Sequence, residues 1–164
     1  MITIRPCSAD DFDALCAVCN DAARAYRGVI GDLWKEPYMP EAELRSEIAA
    51  GVRFCGAFDA HALVGVMGIQ DAGEIDLIRH AYTRTLSQGR GVGGALLEYL
   101  RAQTDRPILV GTWRAATWAI RFYERHGFRL VAPPEKDALL STYWSIPDRQ
   151  RETSVVLIHG CPGH

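Results

Sequence analysis

The sequence lacks the features that mark membrane, secreted and nucleic-acid-binding proteins. None of its 164 residues belongs to an apolar run approaching the roughly 20 residues of a membrane-spanning helix. The first segment, MITIRPCSADDFD, has no apolar stretch typical of a signal peptide. With a net charge of −2, the chain has no excess of basic residues with which to bind nucleic acid. We therefore expect a cytoplasmic protein that has neither a membrane nor a nucleic acid as its partner.

Cysteine is present, but not in a pattern that indicates disulfides or a metal site. Five cysteines are an odd number, which argues against a framework of bridges. Cys16 and Cys19 form a C-x-x-C pair, but the pair falls within a helical pattern, DFDALCAVCNDAARAY. A structural metal site would need a second Cys/His pair nearby, and the sequence has none. We expect both cysteines to pack in the core and the protein to use no metal.

Hydrophobic periodicity predicts an α+β fold around one sheet. The strand ITIRP precedes two helical patterns, one from a cap at Ser8 to Gly28 and one from Pro40 to Gly51. The strands VRFCGAFD and ALVGVMGIQD then form a hairpin, and EIDLIRHAYT is a third strand. Further helices and strands alternate up to the last strand, TSVVLI. Such a mixture of strands and interleaved helices indicates helices packed on a single sheet.

The chain length suits one domain with one core. We assign that domain to residues 1–158 and expect residues 159–164 to form a frayed tail. The polar segment that begins at Pro133 is predicted to be irregular, with one helical turn around residues 139–144. The architecture is therefore a single domain with a short terminal extension.

The segment SQGRGVGGALLEYL, residues 87–100, contains four glycines immediately before an apolar helical pattern. Each glycine costs a helix or strand about 0.5–1 kcal/mol relative to alanine, so the cluster needs an explanation. The first N–H groups of a helix lack internal partners and carry partial positive charge. Glycines leave room for a phosphate to reach these groups. Residues 88–94 are therefore a candidate pyrophosphate site, to which Arg90 would add a charged contact.

Two other phosphate-binding motifs can be compared with this segment. A P-loop requires Lys after its last glycine, where this chain has Ala95. The dinucleotide pattern G-x-G-x-x-G fits Gly89, Gly91 and Gly94, but the carboxylate expected about 20 residues later is missing. An NADP-dependent oxidoreductase that uses Arg114 stays open as a hypothesis. A glycine-rich turn without a ligand stays open as well.

Two blocks resemble the GNAT N-acetyltransferase superfamily. The segment AYTRTLSQGRGVGGALLEYL is similar to the family's acetyl-CoA-binding segment, which Gln88, Gly91 and Gly93 match. The later block AIRFYERHGFRL is similar to the family pattern A-I-x-F-Y-x-x-x-G-F. The chain departs from the family at Thr85, where Pro is usual, and at Ala116, where Asn often contacts the pantetheine arm. The resemblance implies a mixed, mostly antiparallel sheet with helices on both faces.

The resemblance also implies a function. It implies an enzyme that transfers acetyl from acetyl-CoA, its cosubstrate, to a primary amine of a small molecule or peptide by direct attack on the thioester. Many members of the family are homodimers. A non-catalytic acyl-CoA-binding or sensor domain would share the same glycines and is the second hypothesis, which differs at the catalytic groups.

Site residues follow from the same resemblance. The cofactor-binding candidates are Ala81, Tyr82, Thr83, Gln88, Gly89, Arg90, Gly91, Val92, Gly93 and Gly94. Tyr123 matches the Tyr of the family's F-Y pair and is the candidate general acid, since a phenol with a pKa of about 10 can protonate a departing thiolate. The acceptor-binding candidates are the aromatic residues Tyr26, Trp34, Tyr38 and Trp144.

The general base stays open among Glu74, Asp76 and His80, which lie on or beside the third predicted strand. Strict alternation places Asp76 and His80 on one face of the sheet. A bulge in the strand would change which of these side chains face the site.

Overall fold

The computed structural model describes residues 1–160 of the chain. The strands are β1 (Ile2–Pro6), β2 (Arg53–Asp59), β3 (Ala62–Asp71), β4 (Asp76–Thr83), β5 (Ile108–Trp113), β6 (Arg129–Leu130) and β7 (Ser154–His159). The helices are α1 (Phe12–Ala23), α2 (Glu41–Ala49), α3 (Val92–Arg101), α4 (Thr117–Arg125), α5 (Pro133–Tyr143) and α6 (Asp148–Glu152). None of the helices in this part of the chain is long and apolar enough to cross a bilayer.

The strands form one sheet in the order β1-β2-β3-β4-β5-β7-β6. Neighbouring strands are antiparallel except β4 and β5, which are parallel. The parallel pairing joins only residues 76–78 to residues 108–110. Beyond this point β4 pairs with β3 alone and β5 with β7 alone. The sheet is therefore open between the second halves of β4 and β5.

A bulge lies in β4 just after the paired stretch. Val66 and Gly68 of β3 are paired with Tyr82 and Arg79 of β4, so β4 has one residue more than its neighbour. His80 lies in the bulge and has a φ of 59°, a left-handed conformation that few residues other than glycine adopt. The extra residue reverses the alternation of side chains along the rest of the strand.

Helices cover both faces of the sheet, as the resemblance implies. On one face, α3 buries an apolar stripe whose members are Val92, Leu96, Leu97 and Leu100, and α4 adds Tyr123. On the other face, α1 and α2 pack on the first strands and α5 packs on β4, β5 and β7. Cys19 is fully buried beside Leu15 and Val18, and Cys16 packs against the same cluster, which confirms that the C-x-x-C pair is part of the core.

The segment after β6 differs from the sequence-based expectation. Where a single helical turn was predicted, α5 extends for 11 residues and a second short helix, α6, follows. Pro133 and Pro134 occupy the first turn of α5, where a missing N–H costs nothing. The helix packs on the sheet mainly through Leu140, and so narrow an apolar stripe gives a weak periodic signal. At the C-terminus β7 includes His159, while residues 161–164 of the predicted tail lie outside the described residues.

Candidate active site

Two cavities meet at the opening between β4 and β5. The glycine-lined cavity has a volume of about 410 Å³ and lies along the segment between β4 and α3, with α4 on its other side. The aromatic cavity has a volume of about 170 Å³ and lies between β4, β5 and α5. Five residues line both cavities: Tyr26, Ala81, Tyr82, Ala119 and Tyr123. A group held in one cavity therefore lies next to a group held in the other.

The four glycines in and just before the first turn of α3 have two different roles. Gly89 and Gly91 have φ values of 79° and 77°, and the space beside each is open, with no atom within 4 Å of a Cβ placed there. Gly93 and Gly94 allow helix packing instead, because a Cβ would lie 3.2 Å from the Phe122 ring and 3.1 Å from His126 Nε2. The open approach for a phosphate is thus at Gly89 and Gly91, at the start of α3.

The start of α3 carries no capping side chain, so its first N–H groups face the glycine-lined cavity without a partner from the helix. The side chain of Arg90 points elsewhere: its Nη1 lies 3.1 Å from Asp59 Oδ2 at the surface. Arg90, predicted to add a charged contact to the phosphates, therefore does not line the cavity in this structure. Arg125 of α4, which the sequence analysis missed, lines the cavity and supplies a positive charge.

The second half of β4 offers free backbone groups to the glycine-lined cavity. Ala81, Tyr82 and Thr83, which are predicted to bind the cofactor, line it. Their strand is paired with β3 on one side and has no partner on the side of β5. Because alternate N–H and C=O groups of a strand point to opposite edges, part of this stretch is available to pair with an extended ligand.

Tyr123 lies where the two cavities meet. Its side chain is 4% exposed and packs against Phe122 and Phe128, with ring centroids 5.0 and 5.4 Å away. Burial, and then the neighbouring Tyr26, raises the pKa of Tyr123 above its ordinary value. The phenol therefore stays protonated at neutral pH, and it is a weaker acid than a solvent-exposed tyrosine.

The structure separates the three base candidates. Glu74 is exposed in the turn before β4. Asp76 is buried at the start of β4, where it accepts a hydrogen bond of 2.6 Å from Thr104 Oγ1 and lies 3.5 Å from Arg106 Nη1. Neither lines the cavities, because the site forms at the opposite end of β4. Of the three, only His80 lines the aromatic cavity.

The bulge places His80 on the face covered by α1 and α2. Its ring lies 6.2 Å from Phe54 and 6.4 Å from Tyr82. Its Nε2 lies 3.3 Å from Oε2 of Glu47, a residue of α2. Sequence reasoning missed Glu47, since a lone carboxylate in a helix usually faces solvent.

The aromatic candidates largely converge on one cavity. Tyr26, Tyr38 and Trp144, which are predicted to bind the acceptor, line it. Trp34 does not line it and instead stacks on Tyr38 with ring centroids 5.5 Å apart. Trp113, which the sequence analysis did not single out, lines the cavity and donates a hydrogen bond of 3.1 Å from Nε1 to the Tyr38 hydroxyl. The cavity thus has aromatic walls on several sides.

Two cavities that meet through an opening in one sheet are the arrangement expected of a transferase, which must bring two substrates together. The model of the acetyltransferase (GNAT) domain family matches residues 20–142. The chain therefore belongs to the GNAT family and is an N-acetyltransferase, a class of enzyme whose acetyl donor is acetyl-CoA. Family membership and the antiparallel neighbours of β3 show that the NADP-dependent oxidoreductase hypothesis is wrong.

Solved structures share the whole fold at low sequence identity. The PaiA N-acetyltransferase of Thermoplasma acidophilum, in complex with coenzyme A, is 17% identical with a TM-score of 0.73, and the match covers 98% of this chain and 99% of that one. The ribosomal-protein-S18-alanine N-acetyltransferase of Escherichia coli is 16% identical with a TM-score of 0.69, covering 96% and 92%. A GNAT acetyltransferase of Elizabethkingia anophelis with acetyl-CoA bound is 18% identical with a TM-score of 0.63, covering 98% of both chains. A search of curated proteins found no significant match.

Proposed function

We propose that the protein transfers the acetyl group of acetyl-CoA to the primary amine of a small molecule or a peptide by direct attack of the amine on the thioester. The observation that carries this proposal is the meeting of the two cavities at Ala81, Tyr82 and Tyr123. A donor in the glycine-lined cavity and an amine in the aromatic cavity would come together at this point.

The glycine-lined cavity fits coenzyme A by its donors and its shape. Gly89 and Gly91 leave open space at the start of α3, where partial positive charge favours a pyrophosphate. Arg125 adds a cation to the wall. The unpaired edge of β4 is suited to hydrogen bonds with the two amides of an extended pantetheine arm. Ala116, which precedes α4, has no side-chain amide to add a further contact.

The aromatic cavity favours a small amine. Its volume of about 170 Å³ is well below the 300–1,000 Å³ typical of sites for drug-sized ligands, so only a short part of the acceptor is enclosed. The rings of Tyr26, Tyr38, Trp113 and Trp144 attract an ammonium group through their faces and pack against apolar carbon. We infer an acceptor whose amine is carried on a short aromatic or apolar group.

Each proton in the reaction has a residue to carry it. An acceptor bound as ammonium first releases one proton to solvent, and His80 takes the proton that the neutral amine nitrogen then loses as its C–N bond forms. Tyr123 gives its proton to the thiolate as the C–S bond breaks, and it regains one from His80 through solvent, so protons balance over the cycle. A free N–H of the open stretch of β4 would polarise the thioester carbonyl. No cysteine within residues 1–160 lines either cavity, which favours direct attack over an acetylated thiol.

The test has a binding arm and an activity arm. A thermal-shift assay compares CoA, acetyl-CoA and NADP at equal concentration, since a ligand that binds the native state raises its melting temperature. We expect stabilisation by CoA and acetyl-CoA only. Consumption of acetyl-CoA is then measured against arylalkylamines, polyamines, amino acids and peptide N-termini, and we expect small aromatic or apolar amines to react fastest. Stabilisation by NADP alone, or no turnover with any primary amine, would contradict the proposal.

A further inference from the structure

We propose that Glu47 is a positioning residue, whose carboxylate holds the His80 imidazole in the tautomer that accepts the proton of the attacking amine. The inference rests on the proposed function, because it takes His80 as the general base. It adds a group from α2, a helix that contributes no lining residue to the two cavities in the part of the chain that the structure describes.

The contact between the two side chains is enclosed. Glu47 Oε2 lies 3.3 Å from His80 Nε2, and the side chains are 21% and 17% exposed. The Nε2 atom is buried and makes no well-formed hydrogen bond within residues 1–160, and the Glu47 carboxylate is the acidic group within 4 Å of it there. Catalytic hydrogen bonds are often long in a free enzyme and tighten when substrate binds.

The backbone conformation at His80 indicates that the imidazole has a function at this position. A left-handed conformation is unfavourable for a residue other than glycine, and glycine would fill the bulge without that cost. Strain of this kind is concentrated at functional sites. Phe54 stacks against the His80 ring and Tyr82 lies near it, so the ring has little freedom to turn away from Glu47.

The charges around Glu47 favour an ionised carboxylate. Arg79 Nε lies 3.6 Å from the same Oε2 atom, and Arg79 also donates to Gln70 Oε1 at 3.2 Å. Contact with His80, and then the positive charge of Arg79, lowers the pKa of Glu47. An ionised carboxylate beside Nε2 favours a proton on that nitrogen and leaves Nδ1 as the acceptor. A purely structural contact between α2 and β4 would not require a particular tautomer of the His80 ring.

The experiment is a double-mutant cycle measured by steady-state kinetics with an accepted amine. The variants are Glu47→Ala, Glu47→Gln, His80→Gln and the double variant Glu47→Ala with His80→Gln. We expect His80→Gln to lower kcat by about 10²-fold or more. Glu47→Ala should lower kcat by about 10-fold with an unchanged KM for acetyl-CoA, and Glu47→Gln should recover part of this because its amide oxygen still accepts a hydrogen bond.

The diagnostic result is the double variant. If Glu47 acts through His80, adding Glu47→Ala to His80→Gln produces no further loss. The matched control is Glu43→Ala, since Glu43 lies in the same helix and pairs with Lys35 at the surface. We expect that control to keep wild-type kcat.

Other outcomes overturn the inference in distinguishable ways. Equal fold-losses from Glu47→Ala in both backgrounds would make Glu47 a structural residue, and full activity of Glu47→Ala would remove it from the reaction. If His80→Gln keeps wild-type kcat, the base assignment of the proposed function fails as well. Should Glu47→Ala lower the melting temperature strongly, the comparison is made with Glu47→Gln, which keeps the volume of the side chain.

Discussion

The two halves of β4 belong to one continuous strand but have opposite roles. Residues 76–78 are paired with strands on both sides and are almost completely buried, with Leu77 and Ile78 each 2% exposed. Residues 79–83 are paired on one side only, are all partly exposed, and line the two cavities. The comparison shows that the site is made by ending one strand pairing early rather than by adding loops to a finished sheet.

Two features lie at the boundary between the two halves. The bulge at His80 shifts β4 by one residue. Opposite it, Gly111 is the first residue of β5 beyond the paired stretch, and a Cβ there would lie 3.2 Å from the Trp144 ring. An aromatic side chain thus packs directly on the backbone at this point. Glycine at position 111 lets Trp144 form a wall of the opening.

The largest expected effect comes from a substitution of Tyr123, which lines both cavities beside the open half of β4. Tyr123→Phe keeps the ring and its packing, so the melting temperature should change little. It removes the hydroxyl that protonates the thiolate, and kcat should fall by about 10²–10⁴-fold with a similar KM for acetyl-CoA. Steady-state kinetics of both proteins give the measurement. Full activity of the variant at every pH tested would show that Tyr123 only packs.

The next largest effect concerns the approach for phosphate. Gly91→Asp places a carboxylate where the pyrophosphate is expected, and we predict that the Kd for CoA, measured by calorimetry, rises by more than about 100-fold, or about 2.8 kcal/mol. Gly28→Asp is the matched control, because the φ of 80° at Gly28 is close to the 77° of Gly91 and the space around both residues is open. Unchanged CoA affinity in Gly91→Asp would remove the phosphate site from the account.

The smallest expected effect comes from a substitution in the paired half of β4. Asp76→Ala removes the acceptor of the Thr104 hydrogen bond and the buried partner of Arg106, and we expect the free energy of unfolding to fall by about 1–3 kcal/mol. The kcat of the folded enzyme should not change, because Asp76 is outside the site. Urea unfolding and kinetics on the same preparation check both halves of this prediction. A large loss of kcat with normal stability would return Asp76 to the list of bases.

Much of this site could be predicted because it depends on local sequence. Glycines that need positive φ, the helix that follows them and the F-Y pair that carries Tyr123 are each encoded within a few residues. The same holds for most strands, whose apolar patterns are strong. These short-range features were enough to identify the family and to predict where the donor binds.

What escaped prediction depends on contacts between distant segments. The bulge at His80 is set by the pairing of β4 with β3, and no residue type marks it in the sequence. Glu47 and Trp113 become part of the site, or approach it, only when α2 and β5 are placed beside β4. Arg90 resembled a phosphate ligand by position, but Asp59 from β2 pairs with it. Side-chain direction of this kind follows from tertiary packing.

The central claim is that donor and acceptor meet across the opening between β4 and β5 and react directly. Initial velocities measured over a grid of acetyl-CoA and amine concentrations test it most directly. Direct attack requires both substrates to be bound at once, so double-reciprocal plots should give intersecting lines, and mass spectrometry of enzyme mixed with acetyl-CoA alone should show no acetylated protein. Parallel lines together with a kinetically competent acetyl-enzyme would mean a ping-pong reaction through a covalent intermediate and would contradict the account.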